Sequence, residues 1–184
     1  SVAAAGAALE YLRQTQRTSL GHVTKIERHD PAGMMVLERG TRRRLELVER
    51  VDGSREATLL AVLDRTKTPM GGRMLRDWML APLTDREAIQ RRHDGVEELV
   101  KDAFLRRDER AALGDVKDLE RILARVATQR ATPRDLLALG RSLEALPRVL
   151  EPLKGVYSRT LGDLRQRLET FDALAQRLLA TLVD

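Results

Sequence analysis

The side chains able to do chemistry are scattered along this chain. His22, His29 and His93 stand in three unrelated local contexts, none with a second ligand at metal-site spacing, and H-E-x-x-H is absent. Ser19, Ser54, Ser142 and Ser158 lie outside any G-x-S-x-G turn, so no activated serine is presented. There is no cysteine, which excludes disulfides and thiol chemistry. The 28 carboxylates fall almost entirely within three or four residues of an Arg or Lys, the spacing of surface ion pairs on a helix. With nucleophile, base and metal set all missing, neither catalytic nor cofactor-binding nor metal-binding residues are predicted.

One stretch stands out for its construction. Leu63 to Asp85 reads LDRTKTPMGGRMLRDWMLAPLTD. Thr68 is a suitable N-cap, because its hydroxyl can accept from a free backbone N–H of the first turn. Pro69 suits the first helical position, where a missing donor costs nothing. Met70, Met74, Leu75, Trp78 and Met79 then form one apolar helical face, and Pro82 stops the pattern. Gly71 and Gly72 oppose the helix by about 1 kcal/mol each relative to Ala. Something must approach closely enough to compensate. A helix start of this kind can cradle an anion, but G-x-x-x-x-G-K-[ST] occurs nowhere in the chain, and a capped, tightly packed helix is the simpler reading. Thr68, Pro69, Gly71, Gly72 and Trp78 are the structural residues that this stretch nominates.

The elements around it read as mainly α. The chain has 184 residues, 42% apolar and 33% charged, with only 3% aromatic, so any core must rest on Leu, Val, Ala and Met. A net charge of +5 permits contact with nucleic acid without demanding it. Arg42-Arg43-Arg44, Arg91-Arg92 and Arg106-Arg107 are short and mixed with acids, and read as solvated helix faces rather than a phosphate track. No apolar run is long enough to span a membrane, and the N-terminal segment lacks the basic start of a signal peptide.

An Ala-rich helix is expected from about Val2 to Gln16. VTKIERHD and MMVLE are short strand candidates around the Asp30-Pro31-Ala32-Gly33 turn, giving a small β element near residues 22–50. Thr41 to Val48 suggests a short helix running into a strand, followed by a turn at Asp52-Gly53-Ser54. After Ala57 everything has helical periodicity. Thr84 and Glu87 form a capping box, and Ile89, Val96, Leu99 and Val100 supply the buried face behind it. Asp115 or Asp118 caps the next helix, whose Leu119, Ile122, Leu123 and Val126 share a face. Thr132-Pro133 starts another helix, carried by Leu136, Leu139, Leu143 and Leu146 as far as Pro147. Leu161, Leu164, Leu168, Phe171, Ala175, Leu178 and Leu182 form a heptad seam on one predicted helix about 36 Å long.

Four ordered segments resemble the MutS family of DNA mismatch-repair ATPases. They are EYLRQTQRTSLGHVTKIERHDP, MMVLERGTRRRLELVE, LLAVLDRTKTPMGGRMLRDWMLAPLTDREAIQRRHDGVEEL and DLERILARVATQRATPRDLLALGRSLEALP, the third being the most specific. The resemblance implies a multi-helical core, or lever, domain between DNA-sensing parts and an ATPase. Residues 1–17 would end the connector region and residues 18–184 would be a partial core domain, with clamp and ATPase absent. The family's Phe-x-Glu mismatch reader has no counterpart, since Phe104 precedes Leu105-Arg106 and Phe171 precedes Asp172-Ala173. The implied parent uses ATP and Mg, binds mismatched duplex DNA, forms a homodimer, binds MutL and works in the bacterial cytoplasm on nucleoid DNA. No cofactor is expected in this segment itself. The chain opens on Ser1 instead of Met, which fits a segment cut from a longer protein. The competing expectation is an autonomous helical module that binds protein or nucleic acid through its basic surface or its heptad seam. A small enzyme has no residue support. A Walker sequence downstream in the parent reading frame would separate the first two.

Overall fold

The computed structural model describes residues 2–16, 23–26 and 33–182. Among the described residues there are ten α-helices: α1 (Val2–Gln16), α2 (Arg39–Arg44), α3 (Leu59–Leu63), α4 (Pro69–Leu80), α5 (Arg86–Lys101), α6 (Ala103–Leu113), α7 (Leu119–Ala127), α8 (Pro133–Leu150), α9 (Arg159–Arg167) and α10 (Asp172–Thr181). A 3-10 turn at Pro152–Gly155 lies between α8 and α9. The fold is mainly α, as the periodicity after Ala57 predicts.

Side-chain caps start most of these helices. Thr58, Thr68, Asp85, Asp102, Asp118 and Thr132 each accept a backbone N–H of the first turn. Thr132 and Asp135 form a reciprocal capping box. The cap of α5 falls on Asp85, which accepts the Ala88 N–H at 2.6 Å, and not on Thr84, whose N–H goes to the Gly33 carbonyl at 2.8 Å in place of Glu87.

Helix α8 is the centre of the domain. One of its faces packs Leu139, Leu143 and Leu146 against Ile122 of α7 and Ala175 of α10. Another packs Ala145 and Val149 against Ala112 of α6 and Val116. Burial of Val149 also explains why the helix continues past Pro147: the exposed proline removes one donor, while the turn beyond it secures apolar contact. Ser142, fully buried in mid-helix, donates to the Ala138 carbonyl at 2.7 Å and accepts the Lys117 N–H at 3.0 Å, tying the α6–α7 loop to α8.

Glycine allows the closest approach to α8. A Cβ on Gly140 would stand 3.1 Å from Leu178 Cβ and 3.2 Å from Leu179 Cδ2, so α10 lies against bare backbone there. Helix α9 packs instead against α5, near Gly95. The single long helix expected from the heptad seam is therefore two helices, broken at Leu168 where the backbone becomes extended. One straight rod cannot serve two partners. Leu161 and Ala175 of the seam are buried, whereas Leu164, Leu168 and Phe171 remain exposed.

The expected β element shrinks to an isolated antiparallel bridge between Met34 and Leu83 among the described residues. Met35 donates to the Pro82 carbonyl at 2.7 Å on one side of it. The other strand candidate, VTKIERHD, has no regular structure at 23–26, and its remaining residues lie outside the described residues, as does the turn before Gly33. Helix α2 forms as anticipated, but a turn follows it where a strand was expected, and Glu46 takes a left-handed conformation. Gly53 makes the next turn at φ +85, a region glycine enters without strain.

Candidate functional site

Helix α4 starts from a polar turn. The Asp64 carboxylate accepts the Thr66 hydroxyl at 2.7 Å and the Thr66 N–H at 3.0 Å, and these bonds hold its pKa below the usual carboxylate range. Thr68 Oγ1 then accepts the Gly71 N–H at 3.0 Å, with Pro69 at the first helical position. A Cβ on Gly71 would lie 3.1 Å from Thr68 Oγ1, and one on Gly72 would lie 3.3 Å from both Asp64 Oδ2 and Thr66 Oγ1. The close contact expected at the glycine pair is present. Its partner is the preceding turn and not a second helix.

Arg73, the residue after the glycines, is the one that sequence reasoning passed over. Its guanidinium forks onto Asp118, with Nη1 at 2.8 Å and Nη2 at 2.6 Å, and also reaches Glu120 Oε2 at 2.6 Å. Asp118 is the N-cap of α7, so the fork joins the first turn of α4 to that of α7. The Arg73 fork pulls the Asp118 carboxyl down to about 2. No local pattern could have paired residues 45 positions apart.

Trp78 stands at the far end of the helix. The guanidinium carbon of Arg92, on α5, lies 3.6 Å from the centre of its ring. Burial lowers the Arg92 pKa, and the ring face offsets this by attracting the cation. The apolar face predicted for α4 is less covered than expected. No residue of α4 is buried, Met74 and Trp78 are exposed, and Met70 alone reaches the α6–α8 core cluster. Thr68, Pro69, Gly71 and Gly72 thus cluster at one end with Arg73, while Trp78 sits apart against α5. Arg110 of α6 adds a bond to the Arg65 carbonyl in the starting turn at 3.0 Å.

This arrangement is a brace. It fixes α4 against α5, α6 and α7 with directional polar contacts. Among the described residues no group of three or more His, Asp or Glu could hold a metal. His93 is exposed on α5, and His22 and His29 lie outside the described residues. Among the described residues no helix is long and apolar enough to cross a membrane.

Comparison with known proteins identifies the family. The family model described as MutS domain III matches residues 40–184. The DNA mismatch repair protein MutS of Salinibacter ruber is 44% identical over 184 residues, all of this chain and 20% of the relative. That of Symbiobacterium thermophilum is 44% identical, covering the whole chain and 21% of the relative. That of Chlorobaculum parvum is 43% identical over 176 residues, covering 95% of the chain and 20% of the relative. The chain therefore spans about a fifth of the length of the curated relatives it matches. It belongs to the MutS family, as a domain III of DNA mismatch repair proteins.

Proposed function

We propose that this chain is the core, or lever, body of a mismatch-repair ATPase, and that α4 carries conformational signals between the parts of the parent that meet mismatched DNA and the part that turns over ATP. The cross-bracing of α4 supports this reading most directly. A helix with no buried residue, joined to α7 through Arg73 and to α5 through Trp78, can move its neighbours without costing the domain its core. Residues 1–17 would belong to the end of the connector and residues 18–184 to the core body. ATP and Mg would be bound elsewhere in the parent, since no Walker sequence is present here. Mismatched duplex DNA, a second copy of the parent and MutL would be partners of the whole protein, which would work in the bacterial cytoplasm on nucleoid DNA.

The test is made in the full-length parent. Gly72→Leu must displace Asp64 and Thr66, at roughly 1–3 kcal/mol of overpacking. That is comparable with the 1–3 kcal/mol typical of coupling between sites. Basal ATP turnover should survive while its response to a mismatched duplex falls, with Gly72→Ala as the milder control. A wild-type ratio of the two rates in a folded Gly72→Leu protein would show that α4 does not transmit.

A further inference from the structure

A second feature lies on the other side of α4, where α2 and the loop after it meet the last turns of the helix. Arg39, Arg42, Arg43 and Arg76 surround a cavity of about 150 Å³, walled by Val48 and Leu80 and containing a single carboxylate, Glu49. Residues 39–43 and 76 are far apart in sequence, so the fold and not a charge run gathers them.

Among the described residues Arg39, Arg42 and Arg43 are joined to no carboxylate, and Glu49 pairs with none of the four arginines. Arg43 spends one donor on the Val51 carbonyl, and Arg76 has only a long, exposed contact to Asp77 at 3.9 Å. Arg42 Nε is buried with no hydrogen-bond partner. A buried donor without an acceptor is costly, and guanidinium groups crowded round one small space repel one another. Where a carboxylate stands close by, arginines of this domain fork onto it, as Arg73 does on Asp118 and Arg125 on Asp135, whereas Arg106 and Arg110 end on backbone carbonyls.

We propose that this cavity is a phosphate-binding site. One carboxylate satisfies one guanidinium fork, whereas a phosphate presents more oxygens and more charge, and can accept from several arginines at once. The shared chemistry admits two sources, a backbone phosphate of duplex DNA or a free phosphate compound. The short basic run Arg42-Arg43-Arg44 then divides its work: Arg42 and Arg43 line the cavity, and Arg44 stays outside it.

The experiment uses the 184-residue chain, with its fold followed by circular dichroism. The probes are inorganic pyrophosphate, measured by calorimetry, and a short fully matched duplex, measured by fluorescence anisotropy between about 50 and 200 mM salt. The variants are Arg39→Gln, Arg42→Gln and Arg76→Gln, with Arg134→Gln on α8 as control. The expected result is at least tenfold weaker binding for the cavity variants and wild-type binding for the control. If the duplex is the source, each lost contact should also lower the salt slope by about 0.9. If a small phosphate is the source, pyrophosphate binding alone should depend on the cavity. Should Arg42→Gln lose the fold, Arg39→Gln and Arg76→Gln still decide. Equal binding of both probes by wild type and all cavity variants overturns the proposal, and so does tighter binding of a poly-glutamate peptide than of pyrophosphate.

Discussion

Glu98 should be the most consequential carboxylate for stability. Its side chain, on α5, is only 2% exposed, and its two oxygens accept the N–H groups of Tyr157 and Ser158 at 2.8 Å each. Ser158 is the N-cap of α9 and has no side-chain cap bond of its own, so Glu98 satisfies that helix start from another element. Burial pushes the Glu98 pKa up, but the bonds from Ser158 and Tyr157 outweigh it and leave the pKa below normal. A hydrogen bond to a charged group is worth about 1.5–3 kcal/mol, and a stranded buried donor costs about 1–3 kcal/mol. Glu98→Gln keeps one acceptor and turns a donor against the other N–H, so about 2 kcal/mol should be lost. Glu98→Ala strands both donors, for roughly 4 kcal/mol. For a chain of this size about 1 kcal/mol moves the melting temperature by 2–4 °C. Glu98→Gln should therefore melt roughly 4–8 °C lower at pH 7, and Glu98→Ala roughly 8–16 °C lower. A carboxyl with a lowered folded pKa stabilises above its unfolded pKa, and that contribution is lost as pH falls through the folded value. The gap between wild type and Glu98→Gln should close in acid. Thermal melts from neutral pH to below pH 4 check both statements. Equal melting at pH 7, or a gap that persists in acid, would refute the reasoning.

Glu109 should show the opposite pH dependence: burial raises its carboxyl to about 7, and its Oε1 has no partner, so stability should fall as pH rises from the unfolded carboxyl range toward neutrality. Glu109→Gln should flatten that slope and raise the urea midpoint at pH 8. Gly140→Val should overpack the α8–α10 contact by about 1–3 kcal/mol, whereas Gly95→Ala, whose Cβ would stand 3.4 Å from Thr160, should cost less. Paired urea titrations rank the two. The chain alone should neither hydrolyse ATP nor prefer a mismatched over a matched duplex at about 150 mM salt, as the missing Walker and Phe-x-Glu sequences require; a nucleotide turnover assay and a competition between duplexes test this.

Local chemistry was legible in the sequence, and its meeting points were not. Thr68 and Thr132 cap the helices they were expected to cap, and Asp118 is the one of the two candidates, Asp115 and Asp118, that caps α7, because the capping bond spans three residues. Periodicity also found α8, whose Leu139, Leu143 and Leu146 form the core. It overstated α7: Ile122 is buried, but Leu123 is 52% exposed despite lying at the right spacing. Spacing gives a face, while the neighbouring helix decides how much of the face is covered. The break between α9 and α10 was invisible for the same reason. The heptad pattern runs through it, and only the different partners of the two halves require the turn. Gly71 and Gly72 stand close to the side chains of the turn before them, whereas Gly95 and Gly140, which the sequence did not single out, stand against other helices. Arg73, Glu98 and Ser142 draw their importance from partners 25 to 60 residues away, which no window on one sequence reveals.

Two kinds of attachment therefore coexist in this domain. Helices α7, α8 and α10 are joined through buried Ile122, Leu139, Leu143, Leu146 and Ala175, and separating them would expose apolar surface and unfold the centre. Helix α4 has no buried residue; apart from Met70, which touches the α6–α8 cluster, it is joined through Arg73, Trp78 and the turn at Asp64–Thr68. Such contacts are directional, so they fix orientation, but each can exchange with water at modest cost. A perturbation at Gly72 should then reorient α4 and spare the α7–α8–α10 core. Hydrogen exchange on Gly72→Leu discriminates: faster exchange confined to residues 64–80 is expected, and equal acceleration in residues 133–150 would place α4 inside the cooperative core and remove the physical basis for treating it as a separable strut.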